Sequence, residues 1–536
     1  MDKRNKNAIL FLLVILLSII LPAGALAVKS TAELVAAIDA AQNGDTITLE
    51  NSFELGQKIT ISKDLIIDGN GHTITRADDY LGMWFNVAAA GKLTLLNITL
   101  DAGNEWTLDQ EKYDFYLDNP AKFANETPES VTYNTTAANY PYVYPLASEK
   151  GAADKGATDN MINVSGQLIL KKSTIQNFYS VEMKNHDHNV DGVDVPYYSE
   201  ISGKAVINAN AGSTILMEDA TIRHCAGGGS GTVLRAGGKY TCTIKGNTLI
   251  TDNFGGNNGG ILHGYIGSTV IMESGKITGN RGANANGTVI ALHQSGATFE
   301  MKGGEITNNS GIIGVNNGFN SAIYCHSGST FKMSGGVISG NKGRCGGGVF
   351  FRVNASKLEI SGGSIVDNYS YLDRYDDDLF REGSDDSRLT ISGGTFGGYV
   401  GDWIADGYVD VQLAEDLWKV CKLGDIYTIN YVLNGGNLPE NVWYPTMFIE
   451  GMSYELPNPE RDNIVFLGWT SDTIKKPALN LSVINAPAGD VTYYANWEII
   501  DLPTTGDESS LIFWVAMLFM VGSALLMIRK RAGEMK

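Results

Sequence analysis

A short segment recurs through the middle of the chain, and each full copy closes on asparagine. Four copies are 13 residues long, and their final asparagines are 29, 32 and 27 residues apart. These copies are Ser268–Asn280, Ala297–Asn309, Ser329–Asn341 and Ser356–Asn368. Looser copies are Gly166–Asn177, Ser213–Cys225, Tyr240–Asn253 and Ser387–Gly397. Self-similarity at this period is typical of solenoids, in which each repeat packs only on its neighbours.

Within a copy, apolar residues alternate as in a strand with one buried face. In the third copy Phe331 and Met333 precede Gly335 and Gly336, and Ile338 follows the glycines. Two short strands joined by a glycine corner, with asparagine at the next turn, describe one coil of a parallel β-helix. We expect glycine to supply a positive φ at the corner. We expect the closing asparagine to adopt the left-handed conformation and to stack its amide on the next coil.

The composition agrees with a chain that turns often. Its 536 residues include 63 glycines, which is above the average usage of about 7%. A β-sandwich would not repeat at a nearly fixed spacing, and a β-propeller needs roughly 40 residues or more for each blade. The sequence therefore favours the β-helix over both alternatives.

The open end of a solenoid needs a cover, because exposed strand edges pair with other chains. Ser30–Glu33 has the pattern of a helix capping box, and apolar residues then recur at helical spacing at Leu34, Val35, Ile38 and Ala41. We predict an all-β chain in which residues 28–420 form a parallel β-helix with an N-terminal capping helix. This region resembles the right-handed β-helices of pectin-lyase-like proteins, particularly the Gly-Gly-rich ones of bacterial surfaces. The resemblance implies a right-handed solenoid and no particular activity.

One stretch, about residues 101–160, interrupts the coils with aromatic residues among polar ones. A segment of this length is usually functional or folded on its own. The aromatic side chains either cover the flank of the β-helix or form a platform that stacks on sugar rings or a host surface. Under the second interpretation the candidate ligand-binding residues are Trp106, Tyr113, Tyr116, Tyr140, Tyr142 and Tyr144. A smaller excursion, Val181–Glu200, follows.

Both ends of the chain carry targeting patterns. Residues 1–27 combine a basic start, an uncharged run and the small-residue site Ala25–Ala27, which predicts a signal peptide removed before Val28. Near the other end, the uncharged residues 511–528 predict a transmembrane helix, and residues 529–536 form a basic tail. The span is preceded by a motif of five residues, Leu502, Pro503, Thr504, Thr505 and Gly506. An ordinary membrane anchor is the alternative interpretation.

The order of motif, span and basic tail resembles the LPXTG sorting signals of Gram-positive surface proteins. The resemblance implies that a sortase thiolate attacks the carbonyl carbon of Thr505, releases the chain from Gly506 onward, and passes the acyl group to a peptidoglycan amine. Pro503 favours an extended, kinked peptide, and Gly506 removes bulk beside the scissile bond. The predicted partners are sortase and peptidoglycan, and the predicted location is the cell wall after a transient membrane stage.

From Tyr427 the glycine–asparagine rhythm stops, and aromatic residues and prolines become frequent. Residues 427–498 resemble a single Listeria–Bacteroides repeat, the internalin-type B-repeat, through their aromatic positions, the turn Asn434–Gly436, and Trp469 and Trp497. The segment Arg461–Ile464 lacks the aromatic residue that this family usually has there. The resemblance implies a small, β-rich, ubiquitin-like module that serves as a spacer or a binder. Its composition indicates that the tryptophans belong to a core.

Charge and cysteine content exclude several classes of function. The formal net charge is −19, and so acidic a chain disfavours nucleic acid as a partner. The cysteines Cys225, Cys242, Cys325 and Cys345 lie in the repeat region at spacings that match no zinc pattern. We interpret them as buried residues of the solenoid. A cross-coil disulfide between Cys225 and Cys242 is the alternative, since export permits disulfides.

Three polar clusters are candidates for chemistry, and each has a plainer interpretation. The first, in the smaller excursion, lacks the spacing of a known metal site; it contains His186, Asp187, His188, Asp191 and Asp194. The second consists of Asp376, Asp377, Asp378, Asp385 and Asp386. It lacks the acid spacing and turn glycine of a Ca²⁺ loop, and its position before Leu379 indicates a coil boundary. The third, Gly69–His72, reads as a turn between two strands of the first coil.

No catalytic residue and no cofactor is assigned, although Ca²⁺ is an ion that the carboxylates could hold. The chain has no Arg-x-Pro-x-x-Arg lyase signature, and the coils between Asn253 and Asn341 place mostly small polar residues outward. The expected function is that of a wall-anchored surface protein that adheres to carbohydrate or a host surface through a rigid β-helix. The alternative is a wall-anchored polysaccharide lyase or glycoside hydrolase acting in a groove of the β-helix.

Overall fold

The computed structural model contains two compact units, residues Met1–Ile426 and Tyr427–Lys536. It describes residues 26–103, 106–108, 146–148, 157–190, 193–227, 229–256, 260–283, 287–312, 321–326, 328–343, 345–352, 356–370, 377–383, 388–471, 476–477, 482–483 and 485–499. The predicted signal peptide up to residue 25, the sorting motif, the predicted transmembrane helix 511–528 and the basic tail lie outside these residues. None of the helices in the described ranges is long and apolar enough to cross a membrane.

The first unit begins with the predicted capping helix. Helix α1 (Thr31–Ala40) starts at Ser30, whose Oγ accepts a hydrogen bond from the backbone N–H of Glu33 at 3.3 Å. Leu34, Ala37 and Ile38 are buried against the first coil. A serine N-cap stabilises a helix by about 1 kcal/mol, and the apolar face supplies most of the rest. The helix prediction is confirmed.

The coils between Gln167 and Glu382 contribute strands to three sheets, and the earlier coils contribute strands to two of these sheets. In the coil at residues 241–264, two strands join the largest sheet, Phe254–Gly255 joins a second sheet, and Leu262–Gly264 joins a third. Equivalent strands of successive coils pair in parallel, so Thr241 lies opposite Thr214 on one side and Thr269 on the other. This stacking of coil on coil is a parallel β-helix, and it confirms the predicted fold class.

The largest sheet has 23 strands. They are β1 (Leu26–Val28), β2 (Asp45–Leu49), β3 (Phe53–Leu55), β5 (Asp64–Asp68), β6 (Thr73–Arg76), β8 (Lys92–Leu96), β9 (Thr99–Asp101), β13 (Gln167–Lys171), β14 (Thr174–Gln176), β18 (Thr214–Glu218), β19 (Thr221–Arg223), β22 (Thr241–Lys245), β23 (Leu249–Thr251), β26 (Thr269–Met272), β27 (Lys276–Thr278), β30 (Thr298–Met301), β31 (Glu305–Thr307), β34 (Thr330–Met333), β35 (Val337–Ser339), β38 (Lys357–Val366), β41 (Leu389–Phe396), β42 (Tyr408–Ala414) and β43 (Leu417–Lys422).

Two further sheets complete the β-helix. The sheet that a coil joins last has ten strands, and the sheet that it joins just before has eight. The ten are β4 (Ile59–Ile61), β7 (Phe85–Val87), β12 (Ile162–Val164), β17 (Ile207–Ala209), β21 (Leu234–Ala236), β25 (Leu262–Gly264), β29 (Gly287–Leu292), β33 (Ser321–Cys325), β37 (Val349–Arg352) and β40 (Leu379–Glu382). The eight are β15 (Tyr179–Val190), β16 (Val193–Gly203), β20 (Ala226–Gly227), β24 (Phe254–Gly255), β28 (Arg281–Ala283), β32 (Ser310–Ile312), β36 (Lys342–Gly343) and β39 (Tyr369–Ser370). A separate pair is formed by β10 (Trp106–Leu108) and β11 (Leu146–Ser148).

Alternate side chains of the strands fill one continuous core. Phe299 and Phe331 lie on successive coils, are both fully buried, and stack with ring centroids 5.6 Å apart. The methionines Met301 and Met333 continue the same alternation two residues later, also inside the core. Full burial of one such side chain contributes roughly 1.5–3 kcal/mol. The strand pattern read from the repeat is therefore confirmed residue by residue.

The closing asparagines form a buried ladder along the β-helix. The side-chain N–H of Asn253, Asn280, Asn309 and Asn341 each donates to the next residue's Oδ1 at 2.9 to 3.0 Å. The last rung, Asn368, donates instead to Asp378 Oδ1 at 2.7 Å. Amide stacking is thus confirmed, whereas the expected left-handed backbone at these asparagines is wrong.

The left-handed conformation falls one residue earlier in every coil of the ladder. The residues with positive φ there are Asp252, Gly279, Asn308, Gly340 and Asp367. The preceding residue makes the turn, so the ladder asparagine can point its amide inward. The corner glycines behave as predicted, with φ of 85° at Gly304 and 94° at Gly336.

The C-terminal edge of the β-helix is covered by an antiparallel hairpin of β42 and β43. Strand β43 pairs with β41, so that Phe396 lies opposite Trp418 and Gly394 opposite Val420. Val411 of β42 and Val420 of β43 are buried. The sequence predicted a cover at the N-terminal end alone. Because β43 pairs with β41, the last parallel strand has no free edge at Gly394–Phe396.

The cysteines of the repeat region are buried, as interpreted from the sequence. All five thiols are free, including that of Cys421, which is half-buried. Burial raises the pKa of Cys225 and of Cys242 to about 12. The alternative of a disulfide between these two residues is therefore wrong in this structure.

The second unit is a small β-domain. Its main sheet has the order β45 (Met447–Ile449), β44 (Ile426–Val432), β49 (Val491–Ile499) and β47 (Ile464–Thr470), and a second pair is formed by β46 (Tyr454–Glu455) and β48 (Ser482–Val483). Trp469 is buried in the core, and its indole N–H donates to the carbonyl of Pro457 at 2.8 Å. Trp497 packs against the same core and donates to the carbonyl of Leu433 at 2.9 Å. Both tryptophans are core residues, as predicted.

Strand β1 bears on the predicted signal-peptide cleavage. Leu26, Ala27 and Val28 pair in parallel with Ile47, Thr48 and Leu49 of β2. Cleavage before Val28 would remove two of the three residues of this strand. Val28, which is buried, would remain as its last residue. The cleavage site stays a prediction.

Candidate functional site

The outer face of the ten-stranded sheet carries an ordered set of polar and aromatic side chains. Each strand points one apolar residue into the main core. On five successive strands these residues are Leu234, Leu262, Ile290, Ile323 and Val349. Because side chains alternate across a strand, the next residue of each strand points outward. These outward residues are aligned by the parallel register and form column one. Column one consists of Thr60, Asn86, Asn163, Asn208, Arg235, His263, Ala291, Tyr324, Phe350 and Phe380.

A second outward column lies two residues further along each strand. It consists of Ser165, Asn210, Gly237, Tyr265, His293, His326, Arg352 and Glu382. Neighbouring strands of a sheet lie about 4.8 Å apart, so the ten strands present a face roughly 43 Å long. The two columns change along this length from amides, through imidazoles, to aromatic rings and an ion pair.

The N-terminal part of the face is a network of amides. Asn163 Nδ2 donates to Asn86 Oδ1 at 3.0 Å, and Asn163 Oδ1 accepts from Asn208 Nδ2 at 2.7 Å. Asn210 Nδ2 donates to Ser165 Oγ at 2.9 Å. A Cβ on Gly237 would lie 2.7 Å from Asn210 Oδ1, so the glycine leaves this part of the face open. The amides hold one another in place and retain further lone pairs and N–H groups for a ligand.

The middle of the face contains the imidazoles of His263 and His293. Their ring centroids are 5.6 Å apart, and the ring of Tyr265 lies 5.8 Å from that of His263. Burial lowers the pKa of His263 to about 3, helped by His293 and Arg235. Burial also lowers the pKa of His293 to about 4, helped by His326. Both rings are therefore neutral at physiological pH, and each offers one hydrogen-bond donor and one acceptor.

Two nitrogens of these rings have no hydrogen-bond partner. They are His263 Nδ1 and His293 Nε2, and both are buried among the described residues. Leaving a buried polar atom unpaired costs roughly 1–3 kcal/mol. Unpaired polar atoms on an ordered outer face are typical of a site that completes its hydrogen bonds with a ligand or with water.

The C-terminal part of the face combines aromatic rings with an ion pair. Arg352 Nε lies 2.7 Å from Glu382 Oε2, and Arg352 Nη1 lies 3.2 Å from His326 Nε2. Tyr324 stacks on His326 and on Phe350, with centroid distances of 5.7 and 5.5 Å. Tyr324 and Phe350 are buried and form a second apolar cluster with Ala291 and Cys345. Burial raises the pKa of Tyr324 to about 12. The phenol therefore remains protonated, and the charge of Arg352 is compensated by Glu382.

The two excursions leave the β-helix at the corner that precedes the ten-stranded sheet. The backbone of the smaller one is the antiparallel hairpin of β15 and β16, and the longer one returns to the coil at Ala157. Their bases are joined: Ser180 Oγ donates to the carbonyl of Ala157 at 2.7 Å and accepts from the N–H of Lys204 at 3.0 Å. Both excursions thus begin beside the amide-rich part of the outer face.

The aromatic candidates of the longer excursion are only partly placed. Trp106 lies in β10, which pairs antiparallel with β11. The other candidates, Tyr113, Tyr116, Tyr140, Tyr142 and Tyr144, lie outside the described residues, as do the sorting residues Leu502, Pro503, Thr504, Thr505 and Gly506. Their roles stay predictions.

The polar clusters are placed as follows. In the hairpin, His186 lies opposite Tyr197 and His188 opposite Val195 in the backbone register. Asp377 Oδ1 accepts from the N–H of Ser370 at 2.7 Å, and Asp378 ends the asparagine ladder, which confirms the coil-boundary interpretation. Asp376, Asp385 and Asp386 lie outside the described residues. Across the described parts of the chain, no group of three or more histidine, cysteine or acidic residues could hold a metal ion.

The two outward columns were not predicted from the sequence. Mostly small polar residues were expected outward between Asn253 and Asn341, whereas the structure places His263, Tyr265 and His293 there. A signal was present, because a tyrosine or histidine directly follows the strand of the ten-stranded sheet in each of these coils, at Tyr265, His293 and His326. The connecting loops differ in length, so these residues do not recur at a constant spacing.

The comparisons with known proteins support the fold of the first unit. Residues 25–141 match the family model of the pectate lyase-like adhesive domain. The match covers less than half of the chain and includes α1 and strands β1 to β10. No curated protein and no solved structure matches the chain.

Proposed function

We propose that this chain is a surface protein that adheres by binding neutral carbohydrate along the outer face of the ten-stranded sheet. The observation that carries the proposal is the alignment of the half-buried amides of both columns with the half-buried side chains of Tyr265, His293 and His326 in column two. Beneath them, His263 and Tyr324 of column one are buried and support this surface. The family matched by residues 25–141 is described as adhesive, which supports an adhesion-type role. An elongated face of repeated polar groups fits an extended polymer better than a compact small molecule.

The chemistry of the face favours hydroxyl-rich ligands. Neutral imidazoles and amides each present both donors and acceptors, as sugar hydroxyls do. The ring of Tyr265 is half-buried beside His263 and offers an apolar surface of the kind that stacks on a sugar ring. The charge of Arg352 is paired with that of Glu382. Arg235 is then the one cation of the two columns that has no ion-pair or hydrogen-bond partner among the described residues.

Substitution of the central side chains tests the proposal. We expect His293→Ala and Tyr265→Ala each to weaken binding of the full chain to its best neutral glycan by roughly tenfold, about 1.4 kcal/mol, because each removes one set of ligand contacts. Glycan arrays identify that ligand, and calorimetry measures the affinity. His72→Ala, in the turn after β5, is the matched control and should leave affinity unchanged.

Glycan affinities are compared only between variants whose circular dichroism spectrum and unfolding midpoint equal those of the parent. Unaltered affinity in the double variant His293→Ala/Tyr265→Ala would contradict binding at this face. Preference for polyuronates over every neutral glycan would contradict the ligand class.

An enzymatic function is the alternative, and the same ligands test it. A glycoside hydrolase needs two carboxyl groups about 5 to 9.5 Å apart, and Glu382 is the one carboxylate of the two columns. We therefore expect neither new reducing ends nor unsaturated products when the protein is incubated with the glycans it binds. Product release that is lost in His293→Ala would favour the enzyme.

We also propose that the chain is exported and becomes linked to peptidoglycan through Thr505. The support is the order of the predicted signal peptide, the motif Leu502–Gly506, the apolar span and the basic tail. In this proposal sortase is the partner that cleaves after Thr505, and residues 427–498 act as a β-rich spacer between the β-helix and the wall. The first unit would then present its outer face at the cell surface.

A further inference from the structure

A cavity of about 510 Å³ lies at the C-terminal end of the β-helix, and its described lining residues include none of the residues of columns one and two. It is bounded by the last rung of the asparagine ladder, by the turn after β41, and by the hairpin of β42 and β43. Its volume is within the usual range for small-molecule sites, which is roughly 300–1,000 Å³.

The inner wall of the cavity is formed by Asp378. This side chain is only 6% exposed, and its Oδ1 accepts from both the backbone N–H and the Nδ2 of Asn368, at 2.9 and 2.7 Å. Its other oxygen, Oδ2, accepts no hydrogen bond from any described residue. Gly397 also lines the cavity, and a Cβ there would lie 1.9 Å from Asp378 Oδ2. Asp378 Oδ2 thus packs closely against the backbone of Gly397, at a position where only glycine fits.

Aromatic side chains form the rest of the wall. Tyr369 and Tyr399 are 51% and 62% exposed, although large apolar rings are usually more buried. Tyr399 is held edge-on by Trp418, with ring centroids 5.3 Å apart. Phe396 is buried below them. The exposed rings flank the cavity and are not needed for the core.

The charge of the lining has one sign. Asp367, Asp377, Asp378 and Asp416 line the cavity, and no lysine or arginine is among its described lining residues. Carboxylates beside aromatic faces are the groups that recognise an organic cation, through ion pairing and cation–π attraction. A hard metal ion would instead need six to eight oxygen ligands, and no metal-binding group of acidic residues occurs in the described ranges.

We propose that this terminal cavity binds a primary ammonium group carried by a small molecule, with Asp378 as the buried counter-ion and Tyr369 and Tyr399 as the flanking rings. An ammonium group has three N–H donors, and Asp378 Oδ2 offers an acceptor. The ammonium can belong to an amino sugar or to an amino-acid side chain. This site is separate from the outer face, so it does not depend on the proposed carbohydrate binding.

Calorimetry on the full chain tests the site with defined probes. We expect glucosamine or lysine to bind at least tenfold more tightly than N-acetylglucosamine or Nα,Nε-diacetyl-lysine, because acetylation removes the charge. The tighter of the two amines identifies the source of the ammonium. Calcium chloride serves as the competing ion and should not displace the amine at equal concentration.

Two variants separate the site from the fold. Asp378→Asn places the ladder's own residue at its end, so it preserves the acceptor for Asn368 while it removes the charge. We expect it to weaken amine binding at least tenfold with an unfolding midpoint no lower than that of the parent. Tyr399→Ala, at an exposed ring, should weaken binding at least threefold.

The controls are chosen to be independent of both proposals. Asp219→Asn removes a charge at a left-handed turn position in a distant coil, where asparagine is tolerated, and should leave amine affinity unchanged. His72→Ala, in the turn after β5, should also leave it unchanged. Equal affinity for free and acetylated amines, displacement by Ca²⁺, or full binding by Asp378→Asn would each overturn the proposal.

Discussion

The asparagine ladder shows how much a single buried side chain can do in a solenoid. Asn309 Nδ2 donates to the carbonyls of Ile277 and Thr307 and to Asn341 Oδ1, while its Oδ1 accepts from the backbone N–H and Nδ2 of Asn280. These bonds satisfy backbone groups of a turn that lies inside the protein, where no water replaces them. The amide therefore acts on three successive coils, which explains why this turn residue recurs.

Replacing Asn309 with alanine is expected to destabilise the β-helix by roughly 2–5 kcal/mol. The substitution leaves the backbone N–H of Asn280 buried without its acceptor and removes the hydrogen bonds from Asn309 to Thr307 and Asn341, and each buried group left unpaired costs about 1–3 kcal/mol. Urea unfolding followed by circular dichroism measures the change. Asn308→Gly is the matched control, since glycine occupies the same left-handed position at Gly279 and Gly340. An Asn309→Ala variant as stable as the control would show that the ladder is not a major source of stability.

The carboxyl group of Asp378, at the end of the asparagine ladder, makes the free energy of unfolding depend on pH. Burial raises the pKa of Asp378 to about 6, and the neighbouring Asp377 and Asp367 add to the rise, while the hydrogen bonds from Asn368 oppose it. In the unfolded chain the pKa is near 3.8. Between these values the folded state holds more protons than the unfolded state, so the free energy of unfolding decreases as pH rises from about 4 to above 6. The decrease is at most about 3 kcal/mol.

Comparison of the parent with Asp378→Asn isolates the part of this pH dependence that comes from Asp378. The variant cannot titrate at this position, and its unfolding free energy minus that of the parent should increase as pH rises from 4 to 7. Denaturant midpoints at half-unit pH intervals give the difference curve. A flat difference curve would mean that Asp378 has the same pKa in the folded and unfolded chain.

At the scale of elements, inward positions were predictable from the sequence and outward positions were not. Phe331, Met333 and Ile338 are recognisable because alternation inside a strand is a local pattern with a fixed period. His263 and His293 are brought to one face by the stacking of coils, after loops of different length, and no local period connects them. The left-handed residue was misplaced by one position because both the ladder asparagine and the preceding residue are turn-forming types.

The hairpin of β42 and β43 was also missed, since it is antiparallel and belongs to no repeat. Its position against β41 nevertheless has a clear physical role. A parallel solenoid exposes unpaired N–H and C=O groups on its last coil, and such an edge pairs with other chains unless it is covered. The hairpin provides this cover at the C-terminal end, as α1 does at the N-terminal end.

We expect Lys419→Pro to cause concentration-dependent self-association. Lys419 lies in β43 opposite both Thr395 and Val411, and proline removes its N–H and fixes its φ, which disrupts the pairing. Sedimentation velocity at several protein concentrations measures the association. Lys419→Thr, which keeps a strand-forming residue and the backbone N–H, should remain as the parent. A monomeric Lys419→Pro variant with an intact spectrum would contradict the role of β43 as an edge cover.

At the scale of the whole molecule, the two compact units have separate cores. The core of the first unit runs from Val28 to Val420, and that of the second surrounds Trp469. A solenoid gains stability from contacts between neighbouring coils, so it does not require the second unit in order to fold. The second unit therefore fits the role of a spacer in the proposed attachment to the wall.

The attachment itself gives the last prediction. When the full chain is expressed in a Gram-positive host that has a sortase, muramidase digestion of the wall should release a form that ends at Thr505 and is amide-linked to a peptidoglycan cross-bridge. Mass spectrometry of the C-terminal peptide identifies the linkage. Pro503→Ala should abolish it, because the peptide loses the fixed φ that the enzyme groove would hold, whereas Asp507→Asn, just outside the motif, should not. Recovery of the protein from the membrane fraction with residues 511–528 still attached would identify an ordinary membrane anchor instead.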